Sequence, residues 1–118
     1  MTSMSRSVVN AIKKVVRSGL TAKKDQVKNQ VILNRDGGPG QTALSTRDFR
    51  LDRGHIGFYH LQINAETGNK DLQRFVKENG THLKIARINV ADMTGTDEDV
   101  EKIIEDVETQ VDSGMTVD

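Results

Sequence analysis

The stretch from Arg53 to Ala91 holds most of the large apolar side chains, and their spacing switches from two to helical and back to two. Period two points side chains alternately to the faces of a sheet, whereas period 3.6 gathers them on one side of a helix. The stretch therefore reads strand, helix, strand. In its first part, from Ile56 to Ile63, Tyr59, Leu61 and Ile63 share one face and Phe58 and His60 the other, so both faces carry bulk and the strand is expected to be central. Asn69 is a candidate cap for the helix, Leu72, Phe75 and Val76 are its buried stripe, and Asn79-Gly80 closes it. From His82 to Ala91, Leu83 and Ile85 lie in one phase and Ile88 and Val90 in the other. That slip of one residue predicts a bulge near Ala86, or burial on both faces.

Elements on either side follow the same reasoning. Met1 to Arg6 is polar and expected to fray, Ser7 is a candidate cap, and Val8, Val9, Ile12, Val15 and Val16 predict an amphipathic helix ending at Gly19. Thr21 to Lys28 reads as a loop or a short helical extension, Gln30 to Asn34 as a short strand, and Arg35 to Gly40 as a loop. From Thr42 to Arg53, Phe49 and Leu51 alternate with Asp48, Arg50 and Asp52, which predicts a strand joined to the next by a turn at Asp52-Arg-Gly-His55. Downstream, Thr96 and Asp99 resemble a capping box with Asp in place of Glu, ahead of a stripe of Val100, Ile103, Ile104, Val107 and Val111. Asp112 to Asp118 is expected to be loose.

The predicted fold is a single α+β domain over residues 1–118. It comprises an N-terminal helix, an antiparallel or mixed sheet of about four strands, a helix between the last two strands and a C-terminal acidic amphipathic helix. The 118 residues include three Phe, one Tyr and no Trp, so the core must be aliphatic.

The absence of cysteine excludes disulfides, thiolate zinc sites and a cysteine nucleophile, and a cytoplasmic location is the expectation. The first sixteen residues lack the unbroken apolar run of a signal peptide, and no segment has the roughly 20 apolar residues that span a bilayer, so no membrane partner is expected. The zero net charge conceals a polarity. Residues 1–36 carry eight Lys/Arg against two Asp/Glu, residues 37–91 eight against five, and residues 92–118 one against ten. Either the two ends neutralise each other, or a cationic surface stays open for a polyanion.

Signals for enzymatic chemistry are poor. Gly37-Gly-Pro-Gly-Gln-Thr42 has a glycine-rich loop closed by Thr, but Gln41 stands where a phosphate-binding loop needs Lys, so a plain loop is expected. His55, His60 and His82 show no metal-ligand spacing, and Ser45, Thr46 and Asp48 sit in no nucleophile motif. No catalytic residue, metal or cofactor is expected, and the chain reads as non-enzymatic.

A nucleic-acid partner has more support. Arg53-Gly54 opening the inner strand, and Asn79-Gly-Thr-His-Leu83 followed by Ile88 and Val90, resemble the RNA-recognition motif. That likeness implies base stacking on the inner strand, although its aromatic motif positions are here His55 and Gly57. The candidate phosphate contacts are Lys13, Lys14, Arg17, Lys23, Lys24, Lys28, Arg47, Arg50 and Arg53, with Tyr59 as the stacking side chain if it faces out. Arg47, Arg50 and Arg53 recur every third residue, so a regular strand sets Arg50 opposite the other two unless it bends or bulges. The expected function is therefore a small nucleic-acid-binding protein that grips the phosphate backbone, with the acidic helix as modulator or docking element. The alternative is an assembly or adaptor protein that self-associates, or binds a protein partner, through its amphipathic terminal helices.

Overall fold

The computed structural model describes residues 4–35, 43–54, 57–64, 70–79 and 83–114. Their elements in chain order are α1 (Arg6–Ala22), α2 (Lys24–Arg35), β1 (Ala43–Ser45), β2 (Phe49–Arg53), β3 (Phe58–Ile63), α3 (Lys70–Asn79), β4 (Leu83–Asn89) and α4 (Asp97–Asp112). The strands form one antiparallel sheet in the order β1-β2-β3-β4. An α+β fold with helices at both ends, and one between the last two strands, is therefore what the chain adopts.

Local chemistry sets the helix ends. Ser5, not Ser7, caps α1: its hydroxyl accepts the Val8 N–H at 3.2 Å, and Met4 beside it packs against the core. The helix does not stop at Gly19 but runs to Ala22, and α2 begins after the single residue Lys23. Gln30 to Asn34 lies inside α2 rather than in a strand. A short apolar run is ambiguous between helix and strand, and here the helix wins because Val27 and Val31, one turn apart, are both buried. That choice leaves Leu33 as the exposed large apolar side chain of the described residues.

The single strand expected over 42–53 is two strands, because Thr46 turns the chain. Its Oγ1 accepts the N–H groups of Asp48 and Phe49 at 3.2 and 3.0 Å, and the Thr46 N–H donates to the Phe49 carbonyl at 2.8 Å. Asn69, Gly80, His55, His82 and the Gly37–Gly40 loop lie outside the described residues.

All the helices share one side of the sheet. Phe49 and Leu51 of β2, Tyr59, Leu61 and Ile63 of β3 and Ile88 of β4 are buried there beneath Ile12, Val16 and Leu20 of α1 and Ile103, Ile104 and Val107 of α4. Leu72, Phe75 and Val76 of α3 join the same cluster. Each fully buried side chain of this kind contributes roughly 1.5–3 kcal/mol, so the layer between helices and sheet dominates stability. At Gly19 α1 comes close to β2: a Cβ there would stand 2.0 Å from the Phe49 ring, so a side chain at this position would require the ring to shift.

At the start of α4 the capping box forms as expected, with Asp in the acidic place. One Asp99 carboxylate oxygen accepts the N–H groups of Thr94, Gly95 and Thr96 at 3.0, 2.7 and 2.9 Å. Burial pushes the Asp99 pKa up, but the bonds from Thr96, Gly95 and Thr94 outweigh it and hold the group below the usual carboxylate range.

Two outcomes follow. Gly19→Ala should destabilise the fold by about 1–3 kcal/mol in urea unfolding despite the better helix propensity of Ala, because the added Cβ would overlap the Phe49 ring and force it to shift. The lowered Asp99 pKa contributes stability that is present above the unfolded carboxylate pKa, near 4, and is lost as pH falls through the folded value. Asp99→Asn should cost about 1 kcal/mol at neutral pH and make stability fall less steeply on acidification, as measured by urea unfolding across an acid pH series.

Candidate nucleic-acid interface

The basic end of the chain folds against the acidic end. Lys13 and Arg6 of α1 pair with Asp112 of α4, at 2.5 and 3.5 Å. Arg17 reaches Glu101 at 3.1 Å and Glu108 at 2.9 Å. Lys28 of α2 reaches Asp97 at 2.7 Å, with Lys24 at 3.8 Å from the same carboxylate. As α1 and α2 advance, their partners on α4 run backwards, so the basic helices lie antiparallel to the acidic one.

The protonation equilibria agree with this pairing. Hydrogen bonding to Glu108, then to Glu101, raises the Arg17 pKa, and bonding to Asp97 raises that of Lys28. Lys28, with Lys24 nearby, holds the Asp97 carboxyl below its ordinary range. Four of the sequence-predicted phosphate contacts, Lys13, Arg17, Lys24 and Lys28, are thus engaged within the chain.

The remaining candidates scatter. Lys14 and Lys23 are exposed and have no carboxylate partner among the described residues. Arg47 is exposed in the β1–β2 turn, 3.7 Å from Asp48, and Arg50 donates to Asp52 at 2.6 Å. The side chain of Arg53 lies outside the described residues, although its backbone stands opposite Tyr59 in the β2–β3 register. Tyr59 does not face out. It is 0 % exposed at the centre of the core, so it cannot stack on a base. Arg47 belongs to the turn, since β2 begins only at Phe49, whereas Arg50 lies on β2.

A different cationic surface is built on the sheet face that no described helix covers. Partners across a sheet share a face. Ser45, Arg50, Gln62 and Lys84 stand opposite one another in one row, Asp52, His60 and Arg87 in the next, and Phe58 with Asn89 in a third. Arg50, Lys84, Arg87 and Asn89 are exposed, and Asp52, Phe58, His60 and Gln62 are half-buried.

Lys84 and Arg87 share this face because of an irregularity. Residues three apart on a regular strand point to opposite faces. In β4, Ala86 pairs with Leu61 but Lys84 pairs with Gln62, leaving Ile85 as the extra residue of a bulge, next to the expected position. The bulge turns Lys84 outward beside Arg87 while Ala86 and Ile88 stay buried. Arg87 lies over the Phe58 ring, 4.9 Å from guanidinium carbon to ring centroid. Neither Lys84 nor Arg87 has a carboxylate partner among the described residues.

Residues 4–110 match the family described as HrmA, subtelomeric hrmA-associated cluster protein. The chain belongs to the HrmA family. No curated protein and no solved structure matches it. The HrmA description names a chromosomal setting and no chemistry, so a function for this HrmA chain has to be argued from its surfaces.

Several of those surfaces carry little. Among the described residues no group of His, Asp and Glu gathers as a metal site, and none of the helices is long and apolar enough to cross a membrane. Thr46 is committed to its turn. Sequence reasoning passed over Lys84, Arg87 and Phe58 as binding residues, although two signals pointed to them: the phase slip in β4, and the placing of Phe58 with His60 on the second face of β3.

If the helical cations serve the fold, its stability should weaken with salt. The thermal midpoint should fall as NaCl is raised to where the Debye length is about 3 Å, and Arg17→Gln with Lys28→Gln should flatten that slope, followed by circular dichroism.

Proposed function

We propose that this protein is a small non-enzymatic binding protein that takes the phosphate backbone of a nucleic acid on the open face of its sheet. The observation that supports this best is the bulge at Ile85. It brings Lys84 to the face of Arg87 and Arg50, giving, among the described residues, three cations against the single carboxylate of Asp52. The Arg50–Asp52 pair, with Arg50 exposed and Asp52 half-buried, is held within one strand at the solvent side, so Arg50 can exchange it for a phosphate oxygen. Cations placed side by side on a sheet suit backbone contact with little sequence preference.

In this reading the acidic helix has a definite part. Glu101, Glu108, Asp97 and Asp112 occupy Lys13, Arg17, Lys24 and Lys28 of α1 and α2, which leaves the helical side less to offer a phosphate than the sheet side. The competing reading, self-association or docking of a protein partner through the terminal helices, meets an obstacle. Ile104 and Val107 are 1 % and 0 % exposed inside the chain's own core, so a contact would have to use other surface, such as exposed Leu33.

Gel shift separates the two. At low salt an oligonucleotide should be retarded, with affinity no tighter than about micromolar at physiological salt, fading as salt rises with a log–log slope near −2 to −3 for three phosphate contacts. Lys84→Glu with Arg87→Glu should abolish the shift and Lys14→Gln should leave it. A protein that fails to bind at low salt, yet grows in mass with concentration under light scattering, would be an assembly protein instead.

A further inference from the structure

Resting on the phosphate-binding reading above, we infer that the ligand is single-stranded, with phosphates on Arg50 and Lys84 and a base stacked on the Arg87 guanidinium that Phe58 supports. Dimensions argue first. The outer strands of a four-stranded sheet stand roughly 14 Å apart, counting about 4.8 Å per neighbour, whereas the major groove of a duplex is about 12 Å wide and admits a helix or a two-stranded ribbon. No described helix projects from the open face, so a duplex could touch it only along phosphates.

Chemistry argues second. A surface made for phosphates alone needs only charge, and Lys84 supplies that with no carboxylate partner among the described residues. Arg87 is built differently: its guanidinium lies over the half-buried ring of Phe58, so one side is occupied by an aromatic face while the residue as a whole remains exposed. A guanidinium held in this way offers its outer side as a platform for an unstacked base. Paired bases in a duplex are already stacked on each other and cannot use it. Arg50 and Lys84 face each other across Gln62, two strand spacings or roughly 10 Å apart at the backbone, and their long side chains can reach successive phosphates of a flexible strand.

The test is fluorescence anisotropy with labelled oligo-dT and oligo-rU of equal length, a matched duplex, and inorganic polyphosphate as competitor, all at one salt concentration. Single strands should bind at least about tenfold tighter than the duplex. Arg87→Lys keeps the charge but loses the platform. It should weaken the oligonucleotides on the order of tenfold, as should Phe58→Leu, while leaving polyphosphate competition unchanged. Both side chains lie on the solvent face, and circular dichroism should report an unaltered fold. Duplex binding as tight as single strands, or Arg87→Lys without effect, would overturn the inference and leave the phosphate-binding reading standing. Failure of every polyanion, polyphosphate included, would remove that reading and this one with it.

Discussion

The antiparallel contact of α1 with α4 decides how the rest of the molecule can behave. Its foundation is apolar: Ile12, Val16 and Leu20 against Ile103, Ile104 and Val107, all essentially without exposure. The ion pairs that flank it, Lys13 to Asp112 and Arg17 to Glu101 and Glu108, lie at the solvent edge, where such pairs are worth little each. Their effect is on register and on availability. Once the apolar seam has brought the helices together, Arg6, Lys13, Arg17, Lys24 and Lys28 meet carboxylates of α4, and these side chains can serve a partner only by leaving carboxylates uncovered.

A second constraint, on the other side of the molecule, comes from one extra residue. Without Ile85 in excess, Lys84 and Arg87 would point to opposite faces of β4, and one of them would be driven into a core that has no counter-charge for it. The bulge keeps both in water and keeps Ala86 and Ile88 inside. It thereby solves a packing problem and produces a cluster of positive charge by the same displacement. Phe58 then has Arg87 above it, which shields part of an otherwise wet aromatic ring.

The fold could be read from the sequence wherever a period persisted. The stripes of α3 and α4 and the alternation in β3 were unambiguous, because each apolar residue repeated the same instruction. Short runs gave no such repetition. Gln30 to Asn34 fits a strand or a helix equally, and only the neighbouring Val27, buried with Val31 against the other helices, decides it. Thr46 was missed as a turn because its part depends on hydroxyl geometry, which composition does not register. The surface was harder still. Counting charge along the chain singled out α1 and α2, but charge that meets its complement on another helix is lost to outside partners, and such pairing is a tertiary fact. Tyr59 looked like a stacking side chain only while the direction of its face was open.

Charge placement then determines how a polyanion could approach. The helices cover one side of the sheet, so the outer surface of α4, with exposed Glu98, Glu105 and Asp106, faces away from Arg50, Lys84 and Arg87. A chain of zero net charge exerts no long-range pull on a distant phosphate strand, but the separation of signs gives it an orientation. Within a Debye length, about 10 Å at ordinary salt, the sheet side attracts and the acidic helix repels. On the proposed reading, encounter would thus be biased toward the face that carries Phe58 and Arg87, and a weak site would gain selectivity of pose without gaining affinity. Reversing charge on α4 would erase that bias before it altered a single contact on the sheet.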